Sequence, residues 1–138
     1  MANTKTTGSL GERIAAGHLE RRNYKILARN FFLRAAHGPK IAEVDIIAKK
    51  RDVFVFVEVK TIRAGSRYLA QDKVNETKKW KIAKAAEMWL IKNNTPLDSK
   101  WQIDVIAIEL LPDTRPEIFR KLLGPRCKIS HFENVSRY

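Results

Sequence analysis

The 138-residue sequence predicts an α/β fold, a mixed β-sheet flanked by helices in the order α-β-β-β-α-β-(β). Three observations carry that expectation. Apolar residues recur at helical spacing in two stretches, roughly 10–22 and 69–92. Short runs rich in Val, Ile and Phe lie between and after them, punctuated by turn residues. A hydrophobic content of 44% supplies a packed core without help from disulfides.

Residues 1–8 read as a flexible leader, and 9–138 as a single domain. The first helix, Leu10–Arg22, aligns Leu10, Ile14, Ala15 and Leu19 on one stripe, with Ser9 and Glu12 at capping-box spacing before it. Asn23 ends it. Tyr24–Leu33 forms a first strand through Ile26, Leu27, Phe31 and Phe32, and His37-Gly38-Pro39 breaks the chain into a loop. Ala42–Lys49 is short, β-branched and apolar apart from its acids. Val53–Lys60 has the clearest strand pattern: its odd positions are all Val and its even positions begin with Phe54 and Phe56. Apolar on both faces, it belongs in the middle of the sheet. After a loop at Gly65-Ser66, a second helix spans Leu69–Lys92 with Val74, Ile82, Ala85, Ala86 and Trp89 at helical intervals, stopped by Asn93-Asn94-Thr95-Pro96. Trp101–Leu110 is another buried strand. Residues 111–125 make a Pro-containing insertion with a helical turn at Glu117–Leu123, and Cys127–Glu133 a last, edge strand.

The charge narrows the function classes. With 27 Lys+Arg against 15 Asp+Glu, the net charge is +12 and the pI about 10.1. That balance calls for an anionic partner, nucleic acid before a membrane surface. Residues 1–70 hold 14 basic and 6 acidic residues and 71–138 hold 13 and 9, so the whole domain is basic rather than one tail. Apolar runs are too short for a membrane span and the first eight residues are too polar for a secretory signal, so a cytoplasmic protein is expected. One cysteine, Cys127, excludes an internal disulfide and a Cys-rich zinc site, and is expected to be inert. His18, His37 and His131 are far apart in sequence with no ligand spacing, which argues against zinc.

The chemistry lies in charges placed where the chain should be buried. Glu58 and Lys60, two apart on the Val53–Lys60 strand, project from one face beside Phe54 and Phe56. Asp45 sits mid-strand among Val44, Ile46 and Ile47, and a turn at 50–52 joins the two strands as an antiparallel hairpin. Two carboxylates converging near a lysine suit Mg²⁺ or Mn²⁺, which take oxygen ligands, acidify bound water and neutralise charge growing on a phosphate. Lys60 can then orient or deprotonate an attacking water. Such a constellation hydrolyses phosphodiesters.

The spacing Asp45-(x)12-Glu58-x-Lys60 resembles the D…ExK core of restriction-endonuclease-like nucleases. The wider pattern resembles the bacterial YraN family. It runs through Gly11-Glu12 and Ala15, Asn23–Leu27, Arg29-Asn30, Glu43–Ala48, Val55–Lys60, Lys78, Ile82, Ala85-Ala86, Trp89-Leu90 and Asp104–Ile106, covering roughly residues 8–110. This resemblance implies the restriction-endonuclease-like (PD-(D/E)XK) fold, similar to archaeal Holliday junction resolvases. It further implies a Mg²⁺-dependent DNA endonuclease directed at branched or recombining DNA, and a homodimer. Carried over by motif position, Glu12, Asp45, Glu58 and Lys60 are the catalytic residues, with Asp45 and Glu58 as metal ligands. Ala42 stands where the family carries Gly, and Gln102-Ile103 where it carries Arg-Phe.

Each residue also has a plainer alternative. Asp45, Glu58 and Lys60 can form a structural buried ion cluster; Glu12 can simply complete the capping box; Glu43, which shares the strand parity of Asp45, either supports it from outside or is solvated. Asp104, inside an apolar strand, reads as a structural acid paired with a helix lysine. Arg63 and Arg67, just beyond the strand, and Lys78 and Lys81, three apart on the second helix, are the candidate phosphate contacts; an ordinary solvated helix is the alternative for the lysines. For the whole chain the competing function is a nucleic-acid-binding module on the same fold without hydrolysis.

Overall fold

The computed structural model describes residues 4–65, 75–96 and 98–135. Eight elements follow in order: α1 (Thr4–Arg21), β1 (Lys25–Arg34), β2 (Lys40–Lys50), β3 (Val53–Arg63), α2 (Glu76–Lys92), β4 (Lys100–Leu110), α3 (Glu117–Leu123) and β5 (Cys127–Phe132). The five strands make one sheet in spatial order β1-β2-β3-β4-β5. β3 and β4 run parallel and the other neighbours antiparallel, so the sheet is mixed, as expected. A parallel pair needs a crossover, and the connection carrying α2 supplies it.

Two apolar layers cover the sheet. On one face Ile82, Ala85, Ala86 and Trp89 of α2 pack on Val44, Ile47, Phe56, Ile103 and Val105. Phe54 and Phe56 meet the Trp89 ring edge-on at 5.8 and 6.0 Å, an arrangement that satisfies the ring quadrupoles. On the other face Ala15, Ala16 and Leu19 of α1 pack on Ile46, Ala48, Val55, Val57, Ile106 and Ile108. The alternating Val and Phe of β3 divide between the two layers, which confirms β3 as the central strand.

Element ends differ from expectation for identifiable reasons. α1 begins at Thr4, inside the stretch read as a leader, so Ser9 lies within the helix and its spacing to Glu12 does not mark the start. α2 begins at Glu76 rather than Leu69. Asn75 is extended (φ −73°, ψ 171°) and its side chain accepts the Lys78 N–H at 2.9 Å, an N-cap that fixes the first turn. Residues 66–74, including Arg67, lie outside the described residues. The β2–β3 turn has two residues, with Lys50 paired to Val53 and Arg51 at φ 56°. Apolar side chains of α3, Ile118, Leu122 and Leu123, are well exposed.

Candidate active site

The hairpin opens in the middle of the sheet. Pairing between β2 and β3 runs from Lys50–Val53 to Ile46–Val57 and ends there, although both strands continue. Beyond that point β2 stays paired to β1 as far as Lys40, and β3 to β4 as far as Arg63. The next pair in register would be Asp45 with Glu58. Instead the Asp45 carboxylate, through Oδ2, accepts the Val59 N–H at 2.7 Å and so takes the place of a strand carbonyl. Val44 packs in the α2 layer and Ile46 in the α1 layer; two residues apart, they should share a face. The alternation therefore slips by one at Asp45, and two acids line the fork this creates.

Both acids are buried. Burial, then the charge of Glu58, push the Asp45 pKa up to about 7, with Glu12 and Glu43 adding to the effect against the Val59 hydrogen bond. Glu58 Oε1 meets Lys78 Nζ of α2 at 2.9 Å. Burial pulls the Lys78 pKa down, but its hydrogen bond to Glu58 and the charges of Glu58 and Asp45 outweigh this, and the net shift is upward. Glu58 Oε2 is buried without a hydrogen-bond partner among the described residues. An unmatched buried acceptor costs about 1–3 kcal/mol, more when charged. Like-charged carboxylates with an orphan oxygen are therefore stabilised by a cation that takes oxygen ligands, so the donor set fits a divalent metal.

The other expected residues assemble unevenly. A Cβ on Gly11 would collide with the Thr61 side chain, so glycine is what lets α1 lie against β3 and carries Glu12 close enough to act on the Asp45 charge. Lys60 lies on the Glu58 face by strand parity, partly exposed. Glu43 is half exposed and pairs with Lys40 at 3.5 Å, an outer acid rather than part of the fork. Lys40, Glu43, Lys78 and Lys81 line a groove of about 200 Å³ beside it. Arg63 is exposed at the end of β3. Sequence reasoning placed Lys78 toward nucleic acid; its ammonium faces Glu58.

A second cluster gathers around Asp104. Asp104 is fully buried, and its partner is not a helix lysine. Its Oδ1 accepts from Gln102 Nε2 (2.9 Å) and Asn134 N–H (2.8 Å), and its Oδ2 lies 2.8 Å from His131 Nε2. His131 Nδ1 faces His18 Nε2 at 3.3 Å, and His18 Nδ1 faces Arg22 at 2.9 Å. Arginine only donates, so His18 Nδ1 must accept, its Nε2–H donates to His131, and His131 donates to Asp104. Burial, then the charges of Arg22 and His131, hold the His18 pKa down at about 4, so His18 stays neutral. The two histidines, separate in sequence, meet because β5 pairs with β4 beneath the end of α1. Tyr24 closes the edge, donating to Glu133 at 3.1 Å; burial and the nearby acids push its pKa up to about 12. Ligand atoms of Asp104, His131 and Glu133 lie within 4.8 Å of one another, close enough to share an ion, but Asp104 and His131 are hydrogen-bonded without one.

No described helix is long and apolar enough to cross a membrane. Residues 11–108 match the profile of the Uncharacterised protein family UPF0102. The chain is 41% identical over 114 residues to a UPF0102 protein of Geobacter sulfurreducens, covering 83% of this chain and 84% of that one. It is 38% identical over 111 residues to one of Caldanaerobacter subterraneus (80% and 85% covered). With one of Geobacter metallireducens it shares 43% over 104 residues (75% and 80% covered). The matched span takes in Glu12, Asp45, Glu58, Lys60 and Asp104 and ends before α3 and β5. The chain belongs to the UPF0102 family, the one its sequence pattern resembles.

Proposed function

We propose that the chain is a Mg²⁺- or Mn²⁺-dependent DNA endonuclease of restriction-endonuclease-like architecture, acting on branched or recombining DNA. The observation that carries this reading is the forked hairpin with Asp45 and Glu58 buried together and one Glu58 oxygen unmatched, inside a domain of net charge +12. Acids repel phosphate, so their presence on a basic protein makes sense beside DNA when a cation lies between them.

Asp45 and Glu58 would hold the ion, which supplies Lewis acidity at a phosphate oxygen and a more acidic water. Lys60 sits next along the face and supplies a positive charge to the attacked phosphate. Glu12 raises the negative potential at Asp45 and so favours cation capture. Arg63, exposed at the end of β3, and Lys81, exposed in the groove, bind flanking phosphates. A homodimer would present two such forks to a substrate with two equivalent strands.

The test is cleavage of junction, flap and linear duplex DNA in Mg²⁺ or Mn²⁺, comparing wild type with Asp45→Asn, Glu58→Gln and Lys60→Met. Cutting of branched DNA that disappears in the first two variants supports the reading; metal-dependent cutting that survives them removes this site. One observation favours a second reading, nucleic-acid binding without hydrolysis: Lys78 already answers one acid without a metal. Salt-dependent binding with no turnover on any substrate would select it.

A further inference from the structure

Lys78 stands at a boundary. Its ammonium touches the buried Glu58 at 2.9 Å, while its side chain is 44% exposed and lines the groove that also holds Lys40 and Lys81. The backbone cannot follow the ammonium: the Lys78 N–H is tied to the Asn75 cap at the start of α2. The side chain alone can move, from an acid on one side to open groove on the other. The ion pair occupies Glu58 Oε1 and leaves Oε2 unmatched, so the ammonium answers only half of the carboxylate.

We propose that Lys78 is a resident counter-ion that competes with a divalent cation for Glu58 and yields to it when a phosphate enters the groove; this rests on the reading of Asp45 and Glu58 as cation ligands. An ammonium within a few ångströms of a doubly charged ion opposes its binding. A phosphate in the groove removes that opposition by giving the ammonium another partner. Cation and phosphate then bind cooperatively, each raising the affinity for the other by the same factor. The site in this way keeps its cation poorly in the absence of nucleic acid and well in its presence.

The experiment is calorimetric titration with Ca²⁺, with and without a duplex oligonucleotide. Lys78→Gln removes the charge but keeps an N–H donor for Glu58. It should bind Ca²⁺ about tenfold more tightly than wild type without DNA, while Lys78→Arg stays near wild type. The oligonucleotide should tighten Ca²⁺ binding several-fold in wild type and far less in K78Q. Melting gives a second readout, with Ca²⁺ raising the Tm of K78Q more than that of wild type. Unchanged or weaker Ca²⁺ binding in K78Q, with an equal or smaller Tm shift, overturns the role of Lys78 and leaves the site standing. Ca²⁺ bound equally well by Asp45→Asn and Glu58→Gln overturns the site itself and the proposal with it.

Discussion

Glu58 and Asp104 lie on adjoining strands one residue apart in register, since Val57 pairs with Asp104 and Glu58 with Val105. Strand alternation turns Glu58 to the α2 side with Phe56, and Asp104 to the α1 side with Ile106. Both are buried, yet their surroundings differ in kind. Asp104 accepts from a side-chain amide, a backbone N–H and a histidine, and the contacts continue through His131 and His18 to Arg22. Glu58 has a half-exposed lysine on one oxygen, no partner among the described residues on the other, and a second acid across a fork whose ladder has stopped. Burial of a charge does not distinguish a structural acid from a functional one. The count of partners does: a closed inventory holds the fold together, and an open one waits for a ligand.

Asp45→Asn should produce the largest effect, because it removes charge from the open site while keeping an acceptor for the Val59 N–H. We expect metal-dependent cleavage to fall by about a thousandfold or more. Stability at pH 8 without metal should rise by on the order of 2–4 kcal/mol, as the cost of a buried charge beside Glu58 is lost. Chemical denaturation beside the cleavage assay checks both; an Asp45→Asn that is less stable and still active would reverse the contrast. Asp104→Asn should do the opposite. It sets an amide N–H₂ against donors already directed at the carboxylate, and should cost about 3–5 kcal/mol. Cleavage per folded molecule should stay unchanged. A loss of cleavage larger than the loss of folded protein would place Asp104 in the active machinery.

The open site was legible in sequence and the closed one was not, for a physical reason. Asp45 and Glu58 lie in two strands joined by a two-residue turn, so local spacing brings the two acids near each other, with Lys60 on the Glu58 face by strand parity. The Asp104 cluster draws on α1, β4 and β5, with His18 and His131 separated by 113 residues, and only the return of β5 along β4 unites them. Periodicity located the strands because each has a face to bury. It did not locate the start of α1, where the Ser9–Glu12 spacing imitates a cap, nor that of α2, where Asn75 is the cap. Lys78 was found as a basic residue, but its partner depends on how α2 lies over the fork. No sequence spacing reports that.

The two sites should also pull stability in opposite directions with pH. The folded Asp45 pKa of about 7 lies above the ordinary 3.8, so between these values the native state binds more protons than the unfolded chain. Its cost is absent below about pH 4 and grows to on the order of 2–4 kcal/mol as pH rises through 7. His18 works the other way: its folded pKa of about 4 lies below 6.5, so the native state resists protonation and stability is lost as pH falls from 6.5 toward 4. Urea unfolding of metal-free protein between pH 4.5 and 8 should separate them. Asp45→Asn should leave stability rising up to pH 6.5. His18→Gln, which accepts from Arg22 and donates to His131 as histidine does, should leave it falling up to pH 7. Identical profiles for both variants would mean that other groups govern the pH dependence.

The smallest effect concerns the basic surface. Lys81 lines the groove beside the fork, whereas Lys50 lies 4.7 Å over the Tyr24 ring at the edge of the closed cluster. Net charge does not discriminate between them, and neutralising either lowers long-range attraction for DNA equally. A phosphate contact adds a local signature, because each contact releases condensed counter-ions and contributes about 0.9 to the slope of log affinity against log salt. Lys81→Gln should therefore lower the slope by about 1 and weaken binding a few-fold near 0.1 M salt. Lys50→Gln should leave the slope unchanged within error. Equal slope changes in both variants would mean that DNA binds over the whole basic domain without preference for the fork. A change in Lys50→Gln alone would put the nucleic acid at the Asp104 end, where the acids are already satisfied and no cation is needed to receive it.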